Sequence, residues 1–163
     1  MAVYTFEERA RRDASPWTLV QGVLAPVQFA VFLVSATLVI RYLATGSGFE
    51  AATISVVIKT LVLYAIMVTG CLWERDVYGR YLFARAFFWE DFVSMFVIAL
   101  HTAYLGALLF GASHPRYQMY IALLAYAAYL INATQFLVKL RASRLESAPA
   151  RAHLHAAVPG AIS

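Results

Sequence analysis

The sequence predicts an all-α integral membrane protein, built as a bundle of four transmembrane helices in up-down-up-down order. Three observations predict this class. Hydrophobic residues make up 62% of the 163 residues and charged residues only 13%, about half the charged share typical of soluble domains. The mean hydropathy is +0.68. The hydrophobic residues also form long blocks instead of short periodic stripes, as transmembrane helices do.

Four blocks are long enough to cross a bilayer as helices, which takes about 20 predominantly apolar residues. They cover residues 17–43, 51–73, 89–110 and 117–140. The links at 44–50 and 111–116 are short and contain glycine, serine or proline, which favour tight turns. Short links make the helices that they join run antiparallel.

The chain is expected to divide into three segments. Residues 1–15 form an N-terminal cytoplasmic segment with a short helix, because Thr5 and Glu8 match a capping box. Residues 16–145 form the four-helix transmembrane domain. Residues 146–163 are rich in alanine, proline and serine and are expected to be a disordered C-terminal tail.

Arginine and lysine residues set the expected orientation. They are concentrated before the first block, between the second and third blocks, and after the fourth, whereas Arg41 and Arg116 lie on the other side. The positive-inside rule therefore places both termini and the middle loop in the cytoplasm. Orientation in a lipid bilayer also accounts for the net charge of +4, so no nucleic-acid partner is expected.

Four ionisable residues lie inside or at the head of the predicted spans. Glu90 and Asp91 open the third span, His101 lies near its middle, and Lys59 lies in the second span. Ionisable side chains are costly at membrane depth, so they are expected to be functional and to face the bundle interior. Glu90 and His101 share one helix face and are roughly 16 Å apart along the axis. A long flat ligand or a file of water molecules can contact both.

Polar residues on the helices complete a predicted binding cavity. They are Gln21 and Gln28 in the first span, Tyr104 in the third and Asn132 in the fourth. Gln21 is expected at the depth of Glu90, and Lys59 near the depth of His101. Inward polar groups at shared depths are typical of a ligand-binding site.

Each of these residues also has a structural interpretation. Acidic residues in a first helical turn are stabilised by the helix dipole, which would explain Glu90 and Asp91. Lys59 can snorkel along the helix, His101 can be a neutral core histidine, and Asn132 can serve in helix packing. The sequence contains no phosphate-binding loop and no metal-ligand spacing, so neither a cofactor nor a metal of the protein's own is expected.

Several stretches together carry a resemblance to a known family, although any one of them alone would be a weak signal. They are PWTLVQG (16–22), KTLVLY (59–64), GRYLFA (79–84), FFWED (87–91), LHTAY (100–104) and INATQF (131–136). From about residue 4 to residue 145, the chain resembles the 3-vinyl (bacterio)chlorophyllide hydratase family of bacteriochlorophyll biosynthesis.

The resemblance implies an enzyme, a hydro-lyase that adds water to the 3-vinyl group of chlorophyllide a or bacteriochlorophyllide. The product carries a 3-(1-hydroxyethyl) group. The substrate is a flat apolar ring with one free propionate. The resemblance also implies a multi-pass protein of the bacterial inner membrane, cytoplasmic or intracytoplasmic. Its partners besides substrate and lipid would be other pigment-pathway enzymes or a second copy of the chain.

The resemblance also suggests roles. Glu90, Asp91 and His101 are the candidate catalytic residues, with Glu90 as general acid and Asp91 stabilising the cation or activating water. His101 would orient the pigment or act as axial ligand to the substrate magnesium. The candidate substrate-binding residues are Lys59, Arg80, Tyr104, Asn132, Gln28, Gln21 and Trp89. Arg80 or Lys59 would lie near the propionate.

A non-enzymatic membrane protein is the alternative hypothesis. Such a protein would bind or carry a pigment or quinone, or would be a small transporter that uses Lys59 and Glu90. Expression of the chain with chlorophyllide discriminates between the two hypotheses, because only the hydratase yields the hydrated product.

Overall fold

The computed structural model describes residues 4–111 and 114–156, with side chains as far as residue 142. Five helices follow one another along the chain: α1 (Phe6–Ala14), α2 (Pro16–Thr45), α3 (Phe49–Tyr78), α4 (Phe88–Leu109) and α5 (Pro115–Ala156). There is no strand in the described part of the chain. Helices α2, α3, α4 and the Pro115–Ala142 part of α5 are long and apolar enough to cross a membrane. The predicted all-α class with four apolar spans is confirmed.

Local signals set the ends of the helices. The Thr5 hydroxyl accepts a hydrogen bond from the Glu8 backbone N–H, and the Glu8 carboxylate accepts one from the Thr5 N–H. This is the predicted capping box. Pro16 opens α2, where its fixed φ suits the first turn. Gly46 ends α2 and Gly79 ends α3, each with φ of 74°, a left-handed conformation that glycine adopts without steric cost.

The helices pack as two hairpins, α2 with α3 and α4 with α5. Within the first, Gln21 Nε2 donates to Thr69 Oγ1 at 2.7 Å, and the hydroxyls of Ser35 and Ser55 are 2.7 Å apart. Higher numbers on α2 therefore pair with lower numbers on α3, so the two helices run antiparallel. The Ser35 hydroxyl also lies 2.5 Å from the Tyr126 hydroxyl of α5, which joins the two hairpins.

Buried apolar residues form two clusters. The larger runs through the bundle and includes Phe32, Val56, Val97 and Tyr126. The smaller, here called the aromatic cluster, lies where α3 ends; it comprises Tyr4, Trp73, Val77, Tyr78, Ala86, Phe87 and Phe136. The outward faces carry many exposed leucine, isoleucine, valine and phenylalanine side chains. Such a surface suits lipid rather than water.

Two helices extend beyond the boundaries that the sequence predicts. Helix α3 ends at Tyr78 instead of residue 73, so Glu74 lies inside the helix. Helix α5 continues to Ala156, past the expected end of the transmembrane domain at residue 145. Residues 157–163 of the expected disordered tail lie outside the described residues.

Candidate active site

Three acidic side chains lie together where α3 ends and α4 begins. Glu74 of α3 is 5% exposed, and Glu90 and Asp91 of α4 are 8% and 4% exposed. Acidic residues are almost never buried to this extent unless they are paired. Lys139 of α5 reaches the same place. We call Glu74, Glu90, Asp91 and Lys139 the carboxylate site.

Glu74 and Asp91 form a pair that the α3–α4 loop holds in place. The backbone N–H of Phe83 donates to Asp91 Oδ2 at 2.7 Å, and that of Ala84 donates to Glu74 Oε2 at 3.2 Å. Consecutive backbone N–H groups thus hold two buried carboxyl groups side by side. Two ionised carboxyl groups in such a place would repel each other, which favours the form in which one of them carries a proton. The pair therefore holds one proton between two side chains.

The loop residue that donates to Asp91 has a strained backbone. Phe83 has φ of 59°, and it is the one non-glycine residue with positive φ in the described part of the chain. A left-handed conformation costs roughly 1–2 kcal/mol for an L-residue with a Cβ atom. Such strain persists where surrounding contacts impose it. Here the 2.7 Å hydrogen bond to Asp91 helps to impose it.

Lys139 is the counter-ion of Glu90. Its Nζ lies 2.8 Å from Glu90 Oε2 and also donates to the carbonyl oxygen of Ala86. The ammonium lies 4.7 Å from the ring centroid of Phe87, within the range of a cation–π contact. These contacts fix the lysine at the head of α4, beside the Glu74–Asp91 pair.

A groove of about 400 Å³ opens beside the ion pair. It is lined by Glu90, Thr134, Gln135, Val138, Lys139 and Ala142. Its walls come from the first turn of α4 and from one face of α5, and Glu90 is the acidic side chain that borders it. A molecule in the groove would therefore meet Glu90 before it met the more deeply placed Glu74–Asp91 pair.

Glu90 and His101 share one buried face of α4, which also carries further polar residues. Ser94, His101 and Tyr104 are buried on the same side of the helix as Glu90. Asn132 Nδ2 donates to Ser94 Oγ at 2.7 Å, and the Ser94 hydroxyl donates to the carbonyl oxygen of Glu90. Asn132 Oδ1 has no hydrogen-bond partner among the described residues. These bonds anchor α5 one turn away from the carboxylate site.

Deeper in the bundle, Lys59, His101 and Tyr129 form what we call the central polar cluster. Lys59 and His101 are both 0% exposed. They contact Tyr129 and Tyr126, which are one turn apart on α5, so both face the bundle interior at similar depth, as expected. Lys59 Nζ lies 3.7 Å from the centroid of the Tyr129 ring and has no hydrogen-bond partner among the described residues.

The burial of Lys59 in its charged form is costly in free energy. Removing an ammonium group from water costs several kcal/mol even after the surrounding protein relaxes. The face of an aromatic ring returns only about 2 kcal/mol when it is desolvated. The Tyr129 ring therefore does not offset the burial of a charged Lys59, and the described residues supply no carboxylate to pair with it.

His101 has one ring nitrogen that is hydrogen-bonded and one, Nε2, that has no hydrogen-bond partner among the described residues. Nδ1 lies 2.8 Å from the carbonyl oxygen of Val97. A carbonyl only accepts hydrogen bonds, so Nδ1 carries the proton and Nε2 presents its lone pair to the interior. Histidines that bind metals are commonly oriented in this way. No group of three or more His, Cys, Asp or Glu side chains within the described ranges is placed to hold a metal ion.

The chain is similar to known proteins of one family. Residues 4–142 match the sequence model of the 2-vinyl bacteriochlorophyllide hydratase family. The chain belongs to this family. A protein of Rhodobacter capsulatus named 2-vinyl bacteriochlorophyllide hydratase is 66% identical over 147 residues, which cover 90% of this chain and 85% of the relative. One of Cereibacter sphaeroides with the same name is 65% identical over 144 residues, covering 88% and 89%. No solved structure matches the chain.

The remaining candidate residues of this hydratase family member lie apart from the carboxylate site. Gln21 is engaged between α2 and α3, where its amide donates to Thr69 and to the Ile66 carbonyl. Arg80 is exposed in the α3–α4 loop. Trp89 is 68% exposed, with its ring against Phe88 and Phe92. Trp89 therefore points outward, away from the buried stripe of α4.

Two members of the carboxylate site, Glu74 and Lys139, are not among the residues that the sequence predicts for the site. The second hydrophobic block ends at residue 73, so its pattern leaves Glu74 just outside the span. Lys139 lies at the end of the fourth block, where a lysine also fits the positive-inside rule. One feature of the sequence does point to them: Glu74 and Lys139 lie at the ends of predicted spans, on the same expected side of the membrane as Glu90.

Proposed function

We propose that this chain is a membrane hydro-lyase that adds water to the vinyl group of chlorophyllide a or bacteriochlorophyllide and yields the 1-hydroxyethyl product. Family membership supports the reaction, and the apolar helices give a pigment access from the bilayer. The observation that carries it is the carboxylate site, where three acidic side chains are buried together and one of them, Glu90, borders a groove. Acid-catalysed hydration of an alkene needs such groups.

Protonation of the vinyl group comes first. Glu90, which borders the groove, receives the proton of the neighbouring Glu74–Asp91 pair and passes it to the terminal vinyl carbon. That carbon becomes a methyl group, and the positive charge forms on the carbon attached to the ring, where conjugation with the macrocycle spreads it. The Glu90 carboxylate left behind stabilises the cation electrostatically, which lowers the barrier most in a site that excludes water.

Addition of water completes the reaction. A water molecule attacks the cationic carbon, and Asp91 takes the proton that the new C–O bond releases. Asp91 is suited to this step because its pair with Glu74 has by then given up its proton, and because the Phe83 N–H fixes it in place. The proton returned to the three carboxyl groups replaces the one given to the vinyl group, so the net change is the addition of one water molecule.

Lys139 acts as the counter-ion of this cycle. Its Nζ, 2.8 Å from Glu90 Oε2, stabilises the glutamate in the form that remains after its proton has left. The contacts to the Ala86 carbonyl and to the Phe87 ring hold the ammonium at that place. We assign Lys139 as a positioning residue for Glu90.

Residues farther along the bundle hold the pigment. His101 Nε2 offers a lone pair to the substrate magnesium or to a water on it, and Tyr104 and Asn132 line the same stripe of α4 and α5. Gln28 contributes a buried amide from α2. Gln21, Arg80 and Trp89 stay candidates for contacts at the rim. The enzyme works in the bacterial inner membrane, cytoplasmic or intracytoplasmic.

Expression of the full chain in a bacterium without a hydratase of its own tests this function. Membranes supplied with chlorophyllide a should form a pigment heavier by one water molecule, and water labelled with ¹⁸O should place the label in the product. Membranes from cells with the empty vector are the control. Pigment that binds to the membranes but is never hydrated would contradict the enzyme and support the non-enzymatic alternative.

A further inference from the structure

The central polar cluster contains a lysine that the chemistry at the carboxylate site does not use. Lys59 is fully buried, and its Nζ faces the Tyr129 ring at 3.7 Å. The ion pairs formed by the described residues are Arg12 with Asp13 and Lys139 with Glu90, so neither involves Lys59. A carboxylate that enters the bundle would supply the partner that a charged Lys59 needs.

The position of Lys59 fits one part of the proposed substrate. Tyr129, which marks its depth, and Lys139 of the carboxylate site lie on the same helix and are roughly 15 Å apart along its axis. A flat molecule with a vinyl group at one end and a carboxylate at the other can extend over that distance. We propose that Lys59 binds the free carboxylate of the pigment inside the bundle while the vinyl group lies at the carboxylate site. This assignment rests on the proposed function.

The other two cations near a possible pigment site are less suited to this task. Arg80 is exposed, and an ion pair in water contributes little to affinity. Lys139 is already neutralised by Glu90 at 2.8 Å, and a second carboxylate there would be repelled by three acidic side chains. Lys59 is better suited to bind the carboxylate, because it is buried and has no carboxylate partner among the described residues.

A second orphaned polar group lies in the same part of the bundle. Gln28 of α2 is 2% exposed, and neither its amide nitrogen nor its amide oxygen has a hydrogen-bond partner among the described residues. It lies one turn before Phe32, whose ring packs against Tyr129 at 5.0 Å. Buried amides are normally hydrogen-bonded. The Gln28 N–H₂ group is therefore a second donor available to a carboxylate near Lys59.

A comparison of two ligands tests the inference directly. Bacteriochlorophyllide and its methyl ester differ only in the charge of the carboxyl group, and their affinities for the purified full chain can be measured by fluorescence quenching in nanodiscs. The wild-type chain should bind the free acid at least about tenfold more tightly than the ester, because truncating one partner of a buried ion pair costs that much or more. Lys59→Met should bind the acid and the ester equally.

Two further variants make the result decisive. Lys59→Gln keeps a polar side chain and should also lose the preference for the acid, and it replaces Lys59→Met should that variant fail to insert. Lys139→Met is the matched control, which should keep the preference. The inference is overturned if wild type binds both ligands equally, if the Lys59 variants keep the preference, or if only Lys139→Met loses it. Hydration by the wild-type chain, measured separately, reports on the proposed function alone.

Discussion

At the scale of single residues, burial changes what each polar side chain can do. Glu90 and Asp91 lie in the first turn of α4, where the helix dipole alone would stabilise exposed acids. They are instead 8% and 4% exposed and engaged with Lys139 and Glu74. Helix capping therefore does not account for their placement. Each acid has a partner from a different helix, which is typical of a site rather than of a helix end.

Because Glu90 is proposed to deliver the proton to the vinyl group, loss of its carboxyl group should cause a large loss of activity. Glu90→Gln keeps the size of the side chain but can neither give nor take a proton in the reaction. Turnover of chlorophyllide should fall by about two to four orders of magnitude, while the chain still inserts and binds pigment. Turnover at saturating substrate, measured by chromatography of the product, checks this expectation.

Two further variants test whether the loss of turnover is specific to the carboxylate site. Glu74→Gln should also lower turnover, because Asp91 loses the partner with which it shares a proton. Glu50→Gln changes an exposed acid at the opposite end of α3 and should leave turnover unchanged. Near-normal turnover in Glu90→Gln would show that the acid is elsewhere and that the Glu90–Lys139 ion pair is structural.

At the scale of helices, hydrogen bonds between spans fix how the hairpins meet. Without a hydrophobic driving force in lipid, spans associate through close packing and polar contacts. Ser35 of α2 bonds both Ser55 of α3 and Tyr126 of α5, at 2.7 and 2.5 Å. This hydroxyl group therefore connects three helices near the central polar cluster and helps to hold α5, with Tyr129 and Lys139, in register with α3 and α4.

Removal of the Ser35 hydroxyl should loosen that connection. Ser35→Ala is expected to lower the free energy of unfolding in detergent by about 1 kcal/mol, because interhelical hydrogen bonds in membranes contribute about that amount. Thermal unfolding followed by circular dichroism measures the change. Thr37→Ala is the control, since its exposed hydroxyl bonds only the Leu33 carbonyl of its own helix. Equal melting temperatures for the two variants would argue against the connection.

At the scale of the whole molecule, apolar length and charge asymmetry act together. Four helices are long and apolar enough to cross a membrane, and their exposed faces are apolar. Most arginines and lysines lie before the first span, between the second and third spans, and after the fourth. These segments are at the end of the bundle that carries the carboxylate site. The positive-inside rule therefore predicts that the carboxylate site lies near the cytoplasm, where water can reach it.

This orientation predicts the outcome of reporter fusions. Alkaline phosphatase, which is active only outside the cytoplasm, should be active when fused at Ser47 and inactive when fused after Leu145. A green fluorescent reporter, which fluoresces only inside, should give the opposite pattern. Alkaline phosphatase activity after Leu145 would reverse the orientation and would place the carboxylate site on the far side of the membrane.

The sequence by itself determined the fold class, the four apolar spans and the helix face shared by Glu90 and His101. These properties follow from composition and helical periodicity, which are local. The tertiary structure decided which residues become partners. Glu74 and Lys139 lie 16 and 49 positions from Glu90 in the chain, and only the packing of α3 and α5 against the head of α4 brings them to it. Periodicity gives the direction of a side chain on its own helix, whereas a contact between helices also depends on their relative depth and rotation, which are set by packing across the whole bundle.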